Sequence, residues 1–215
     1  SKLKTNYSFK YVYYKSEYDL VLNFFKIMVP KMAVLTGWNF VHYDWVFLVN
    51  RARNLGISPE MSSFTNKLIQ SFKDDSELPA HRLVVDYMDL YAKWDTSIKI
   101  KESNSLDFVS ENILGVKKIH YNGSLDYLYK NDYKTFVFYN AVDSCLVQQI
   151  HNKMKYIDIL YSVSSVAKIK VLDGFSTLAV TEGILREKMK HEKNVIFCKN
   201  ENVSYKDVEI DEDDM

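Results

Sequence analysis

Met32-Ala33-Val34-Leu35-Thr36-Gly37-Trp38-Asn39-Phe40-Val41-His42-Tyr43-Asp44 is the stretch on which the reading of this chain turns. Its apolar run ends at Thr36-Gly37, the pattern of a short buried strand closed by a turn residue. Trp45, Leu48, Val49 and Ala52 then fall on one stripe of a helix. Upstream, the aromatic and β-branched run from Phe9 to Tyr14 predicts a strand. Ser16-Glu17 opens a helix through Leu20, Leu22, Phe25 and Met28, which Pro30 stops. Strand, helix, strand, helix is the rhythm of an α/β domain.

Downstream, residues 56–81 lose this periodicity around Lys73-Asp74-Asp75-Ser76-Glu77 and read as a long loop or a small hairpin. A strand is predicted from Arg82 to Asp86, then helices near Met88–Trp94, Leu106–Ile113 and Leu125–Tyr129. A longer helix covers Tyr133–Met154. Beyond it the pattern is mixed, with a helix over Thr177–Lys190 and a β-like Val195–Cys198. No internal repeat is present.

The 215 residues are 47% hydrophobic and 14% aromatic, enough for a sizeable core. Only 6 glycines and 3 prolines argue against a turn-rich β-sandwich and against a disordered linker. The net charge of zero hides an asymmetry, because Asp207, Glu209, Asp211, Glu212, Asp213 and Asp214 crowd one end. Without these six, 28 basic residues face 22 acidic ones. That modest excess suits a nucleic-acid partner and equally a solvated surface with an acidic tail. Two cysteines, with neither a signal peptide nor an apolar run of membrane-spanning length, predict a soluble protein of a reducing, cytoplasmic compartment.

Two carboxylates stand out. Tyr139, Val142, Asp143, Leu146, Val147 and Ile150 occupy one face of the long helix, so Asp143 sits within an apolar stripe. An unpaired carboxylate there costs several kcal/mol, so Asp143 is expected at the rim of the core beside a cation, a metal ion or a strong donor. Tyr139 places its hydroxyl one turn away. A hydrogen-bonded core-edge pair satisfies the same spacing. Asp44 follows a strand and loop, where open α/β sheets gather ligands, and it also suits a helix N-cap.

Taken together, these segments resemble the family B DNA polymerases, especially those of the T-even type of bacteriophage. Asn39, Tyr43 and Asp44, in their Thr-Gly-Trp-Asn context, look like that family's second exonuclease motif, and Tyr139 with Asp143 like its third. Asp86-Tyr87-Met88-Asp89-Leu90-Tyr91, Ser105-Leu106-Asp107 and Tyr121-Asn122-Gly123 lie between them in the family's order. The resemblance runs from about residue 10 to about residue 196. It implies a ribonuclease-H-like (DnaQ-like) exonuclease fold over residues 1–160, incomplete at its N-terminus. Residues 161–215 would form a connecting segment toward the palm. The implied activity is 3′→5′ proofreading in DNA replication by two-metal phosphodiester hydrolysis with Mg2+ or Mn2+. Asp143 would bind the metal carrying the attacking water, Asp44 would support the second, and Tyr139 would orient the water. Asn39 and Tyr43 would hold the single-stranded DNA 3′ end. For a viral protein, the compartment would be the host cytoplasm.

The family's first motif, Asp-x-Glu on a strand, is not found before Asn39, where Glu17 and Asp19 are the acids and lie on a predicted helix. Asp75/Glu77 and Asp207/Glu209 have that spacing but lie after the second motif, and read as solvated charge. Asp173-Gly174-Phe175-Ser176-Thr177-Leu178 only faintly resembles a palm motif. The expected partners are therefore polymerase segments that carry the first motif and the palm, in cis or as separate chains, and no membrane. The isolated chain is expected to be weakly active or inactive. A non-catalytic scaffold or single-stranded-DNA-binding subunit is the alternative, and a self-sufficient nuclease would require a substitute ligand.

Overall fold

The computed structural model describes residues 7–71, 76–95, 103–116 and 123–192. Over these the chain is mixed α/β and mostly helical. Helix α1 (Glu17–Asn23) starts at Ser16, whose hydroxyl accepts the Asp19 N–H, as an N-cap should. It continues through a π-helical turn, Phe24–Met28, and a 3₁₀ turn, Val29–Lys31, so the helical path passes Pro30 by one residue. The face it buries is Val21, Phe25 and Val29. Leu20 and Met28, expected inside, are exposed, because the observed stripe runs at i, i+4 and i+8 from Val21.

Strand β1 (Val34–Gly37) leads through a π-helical turn, Phe40–Trp45, into α2 (Val46–Asn54). Trp45, Val49 and Ala52 are buried as their spacing predicts. The following region contains a 3₁₀ turn, Pro59–Ser62, and a hairpin of β2 (Leu68–Gln70) with β3 (Glu77–Pro79). Glu77 forms a solvent-exposed ion pair with Arg53, while Asp75 lies outside the described residues. Strand β4 (Leu83–Asp86) runs parallel to β1, with Val34 opposite Leu83 and Gly37 opposite Asp86.

Helices α3 (Tyr87–Trp94), α4 (Leu106–Leu114), α5 (Leu125–Asn131) and α6 (Tyr133–Met154) follow, within two residues of the predicted bounds. Helix α7 (Tyr156–Ala167) was not foreseen. Lys155, at φ 57°, ends α6 and begins α7 in one left-handed residue, so no glycine or proline marks the break. A 3₁₀ turn, Val171–Phe175, leads to α8 (Thr177–His191). Val195–Cys198 and the acidic end lie outside the described residues.

No strand forms over Phe9–Tyr14. Phe9, Tyr11 and Tyr13 are exposed there, and β-branched and aromatic residues make a strand only where a partner and a packed face exist. Tyr11 instead shares a 2.8 Å hydroxyl contact with Tyr133, and Tyr14 donates to Asn23.

The parallel pair separates two cores, because successive side chains of β4 point to opposite faces. Leu83 and Val85 join Tyr87, Leu90, Val109, Val142, Leu146, Ile150 and Leu160 in one core. Val84, with Leu35 of β1, joins Phe25, Val41, Trp45 and Val49 in the other.

Candidate active site

The turn after β1 is where the sequence placed its first group of candidates. Gly37 ends the strand, and a Cβ there would lie 2.8 Å from Phe40 Cβ, so the chain folds back closely on itself. Asn39 adopts φ 56°, ψ 23°, a left-handed conformation that asparagine tolerates better than most residues. Its carbonyl accepts the Tyr43 N–H at 3.1 Å, closing the first turn of the helical segment that carries Tyr43 and Asp44. Asn39 is half-buried, while Tyr43 and Asp44 are exposed. Burial of its inner side pushes the Asp44 carboxyl above the usual carboxylate range, against the pull of its own backbone N–H. Solvent reaches the residue, so the effect is modest.

The residue that secures this turn is Asp86, at the end of β4. Its side chain accepts the N–H groups of Asn39 at 2.9 Å and Val41 at 3.0 Å across the strands, and that of Met88 at 2.9 Å on its own side. The residue is 3% exposed. Burial raises its carboxyl's pKa, and the three donors work against that rise. Along the chain Asp86 is the last residue of a predicted strand and the first of the Asp86–Tyr91 segment singled out above; its bonds to a turn 45 residues away carry no local signal. Beside the turn, His42 and Asp89 of α3 approach to 3.3 Å, and Trp38 donates its indole N–H to Asn104 at 2.9 Å.

Tyr139 and Asp143 lie one helical turn apart on α6, both half-buried. Val142, Cys145, Leu146, Val147 and Ile150 around them are buried, which puts Asp143 at the rim of the core as its position in the stripe predicts. Asn39, Tyr43 and Asp44 thus share one turn, and Tyr139 and Asp143 share one helix. Both groups are tied to β4, the first through Asp86 and the second through the core that holds Leu83 and Val85. Val41 and Trp45, which flank Asp44, belong to the opposite core.

Residues 2–109, about half of the chain, match the family model described as DNA polymerase family B, exonuclease domain. The chain belongs to this family. It is also 29% identical over 198 residues to the DNA-directed DNA polymerase of Escherichia phage RB69, and 26% identical over 195 residues to that of Enterobacteria phage T4. Each match takes in 86% of this chain but only 21% and 22% of the relative, so the chain spans about a fifth of their length. A contiguous match of that extent includes Asp44, Tyr139 and Asp143.

The family B exonuclease domain is metal-dependent, which makes the donor set of this chain a question of fit. Among the described residues, no three His, Cys, Asp or Glu side chains come together in a way that could hold an ion. No helix of the described residues is long and apolar enough to cross a membrane.

Proposed function

We propose that this family B segment contributes the second and third motifs of a 3′→5′ proofreading exonuclease whose remaining carboxylates come from residues outside the chain. The observation that supports this most is the Asn39–Asp44 turn. It lies within the matched exonuclease residues, at the C-terminal ends of a parallel strand pair, and Asp86 secures it from the neighbouring strand. In this reading the fold is a ribonuclease-H-like domain over residues 1–160, lacking its early strands. Residues 161–215 lead toward a palm. The division falls within α7, so it marks a change of role and not a break in packing.

In the completed site, a pair of divalent ions, Mg2+ or Mn2+, would supply charge stabilisation at the scissile phosphate. This chain's part is narrower. Asp44 and Asp143 each offer carboxylate oxygens from a different element, the Tyr139 hydroxyl holds a water at the same helix face, and Asn39 with exposed Tyr43 receives the frayed DNA 3′ end by backbone contact and stacking. The partners are a single-stranded 3′ end and the polymerase segments that carry the first motif and the palm.

A second reading, a non-catalytic single-strand-binding or scaffold role, is favoured by the exposed rings of Tyr129 and Tyr133 packed with Phe136 at the start of α6. A 3′-labelled oligonucleotide assay with Mg2+ or Mn2+ separates the two. Under our proposal the chain alone degrades little, a supplied segment bearing Asp-x-Glu restores degradation, and Asp143→Ala abolishes it. Robust degradation by the chain alone, indifferent to Asp44→Ala and Asp143→Ala, overturns the proposal. Binding without degradation after the segment is supplied favours the second reading.

A further inference from the structure

We infer that Asp86 is a positioning residue for Asp44, acting through the turn at Asn39–Val41; this rests on the role proposed for Asp44 above. Capping α3 alone does not require a carboxylate at this place, since serine, threonine or asparagine serves an N-cap as well. What a carboxylate adds is a pair of acceptor-only oxygens, and the structure uses both. Oδ1 takes the N–H of Asn39 and of Met88, and Oδ2 takes the N–H of Val41. Asn39 lies at the start of the helical segment and makes no side-chain cap of its own, so one buried carboxylate caps two helices.

Asp44 follows Val41 by three residues in the same turn, and the parallel register sets Asp86 directly opposite Gly37, where that turn leaves β1. The link thus fixes the direction in which the Asp44 side chain leaves the sheet. A displacement of the Val41 N–H is carried to Asp44 within one helical turn.

Asp86→Asn isolates the link. Its one carbonyl oxygen can still accept from Asn39 and Met88, while its NH2 group faces the Val41 N–H as donor against donor. By amide hydrogen exchange on the full chain, Val41 should exchange about tenfold or more faster, with Met88 and Ile150 unchanged. With the Asp-x-Glu segment supplied, kcat on a single-stranded oligonucleotide should fall by roughly 100-fold, the scale of a small misplacement, with KM within about twofold. Unchanged exchange at Val41, equal acceleration at Met88, or an unchanged kcat despite faster Val41 exchange overturns the inference. If Asp86→Asn does not fold, Asp86→Ser keeps a capping hydroxyl for Met88 and has no second oxygen for the turn, and is read by the same criteria. Asp44→Ala is run in parallel. Should it leave degradation intact, the role of Asp44 itself fails; should it abolish degradation while Asp86→Asn does not lower kcat, only the positioning role fails.

Discussion

Trp45 joins the fold to the site, because the residue before it is Asp44 and its own ring is fully buried. Its centroid lies 5.6 Å from that of Phe25 and 6.1 Å from that of Phe40, and its indole N–H donates to the Glu77 carbonyl at 2.7 Å. Two substitutions separate these contributions. Trp45→Phe keeps an aromatic ring in the core but leaves the Glu77 carbonyl without its donor, a cost of about 1–3 kcal/mol. Trp45→Ala removes the ring contacts as well, and large-to-small changes of this kind cost about 3–5 kcal/mol through lost transfer energy and the cavity left behind. For a chain of this size about 2 kcal/mol lowers Tm by roughly 4–8 °C. Urea unfolding followed by far-ultraviolet circular dichroism measures both variants, with an unchanged denaturant slope showing that the change lies in stability. The alanine variant should lose about 2 kcal/mol more than the phenylalanine variant. A phenylalanine variant within about 0.5 kcal/mol of the parent, or an alanine variant no worse than it, would refute this account of the core beneath Asp44.

Other consequences are as direct. Burial holds the His151 imidazole below its usual pKa, with Asp158 opposing and Lys155 assisting. A histidine depressed in the folded state contributes stability present above the unfolded value of about 6.5 and lost as pH falls through the folded value. Urea titrations between pH 7.5 and 5 should therefore show a decline that His151→Gln flattens; an identical slope in the variant contradicts it. Gly183 lets α8 cross the end of α7, since a Cβ there would stand 2.3 Å from the Ala167 carbonyl oxygen. Gly183→Ala should cost about 1–3 kcal/mol by overpacking despite alanine's better helix propensity, and a stabilised variant in the same denaturation assay would show the crossing to be looser. The Arg51–Glu17 pair is exposed on both sides, so Arg51→Ala should leave the urea midpoint nearly unchanged, and a clear fall in the midpoint would contradict this.

Much of this was legible because the signals are local. An apolar run ending in glycine, followed by Trp45, Val49 and Ala52 on one stripe, specifies strand, turn and helix from a single segment. The period of Val142, Leu146 and Ile150 did the same for α6 and put Asp143 at its rim. What escaped depends on contacts between distant residues. Phe9–Tyr14 has the composition of a strand and no described strand beside it. The inner face of α1 is Val21, Phe25 and Val29 because the core that holds Trp45 and Leu35 lies on that side; Leu20 and Met28 are as apolar but point elsewhere. Helix α7 escaped because Lys155 turns the chain without glycine or proline. The link from Asp86 to Asn39 and Val41 exists only after β1 and β4 pair, so no periodicity along the chain announces it.

The central claim is that Asp44 and Asp143, about 100 residues apart in sequence, serve one centre. Its most direct test is anomalous diffraction from Mn2+ in crystals of the chain bound to a segment carrying the Asp-x-Glu strand, in the presence of a short single-stranded oligonucleotide. The account predicts two ions roughly 4 Å apart, with an oxygen of Asp44 and an oxygen of Asp143 within ligand distance of the pair and the Tyr139 hydroxyl beside them. Carboxylate oxygens more than about 10 Å apart, beyond any shared coordination by divalent ions, or side chains directed to opposite surfaces, would contradict it.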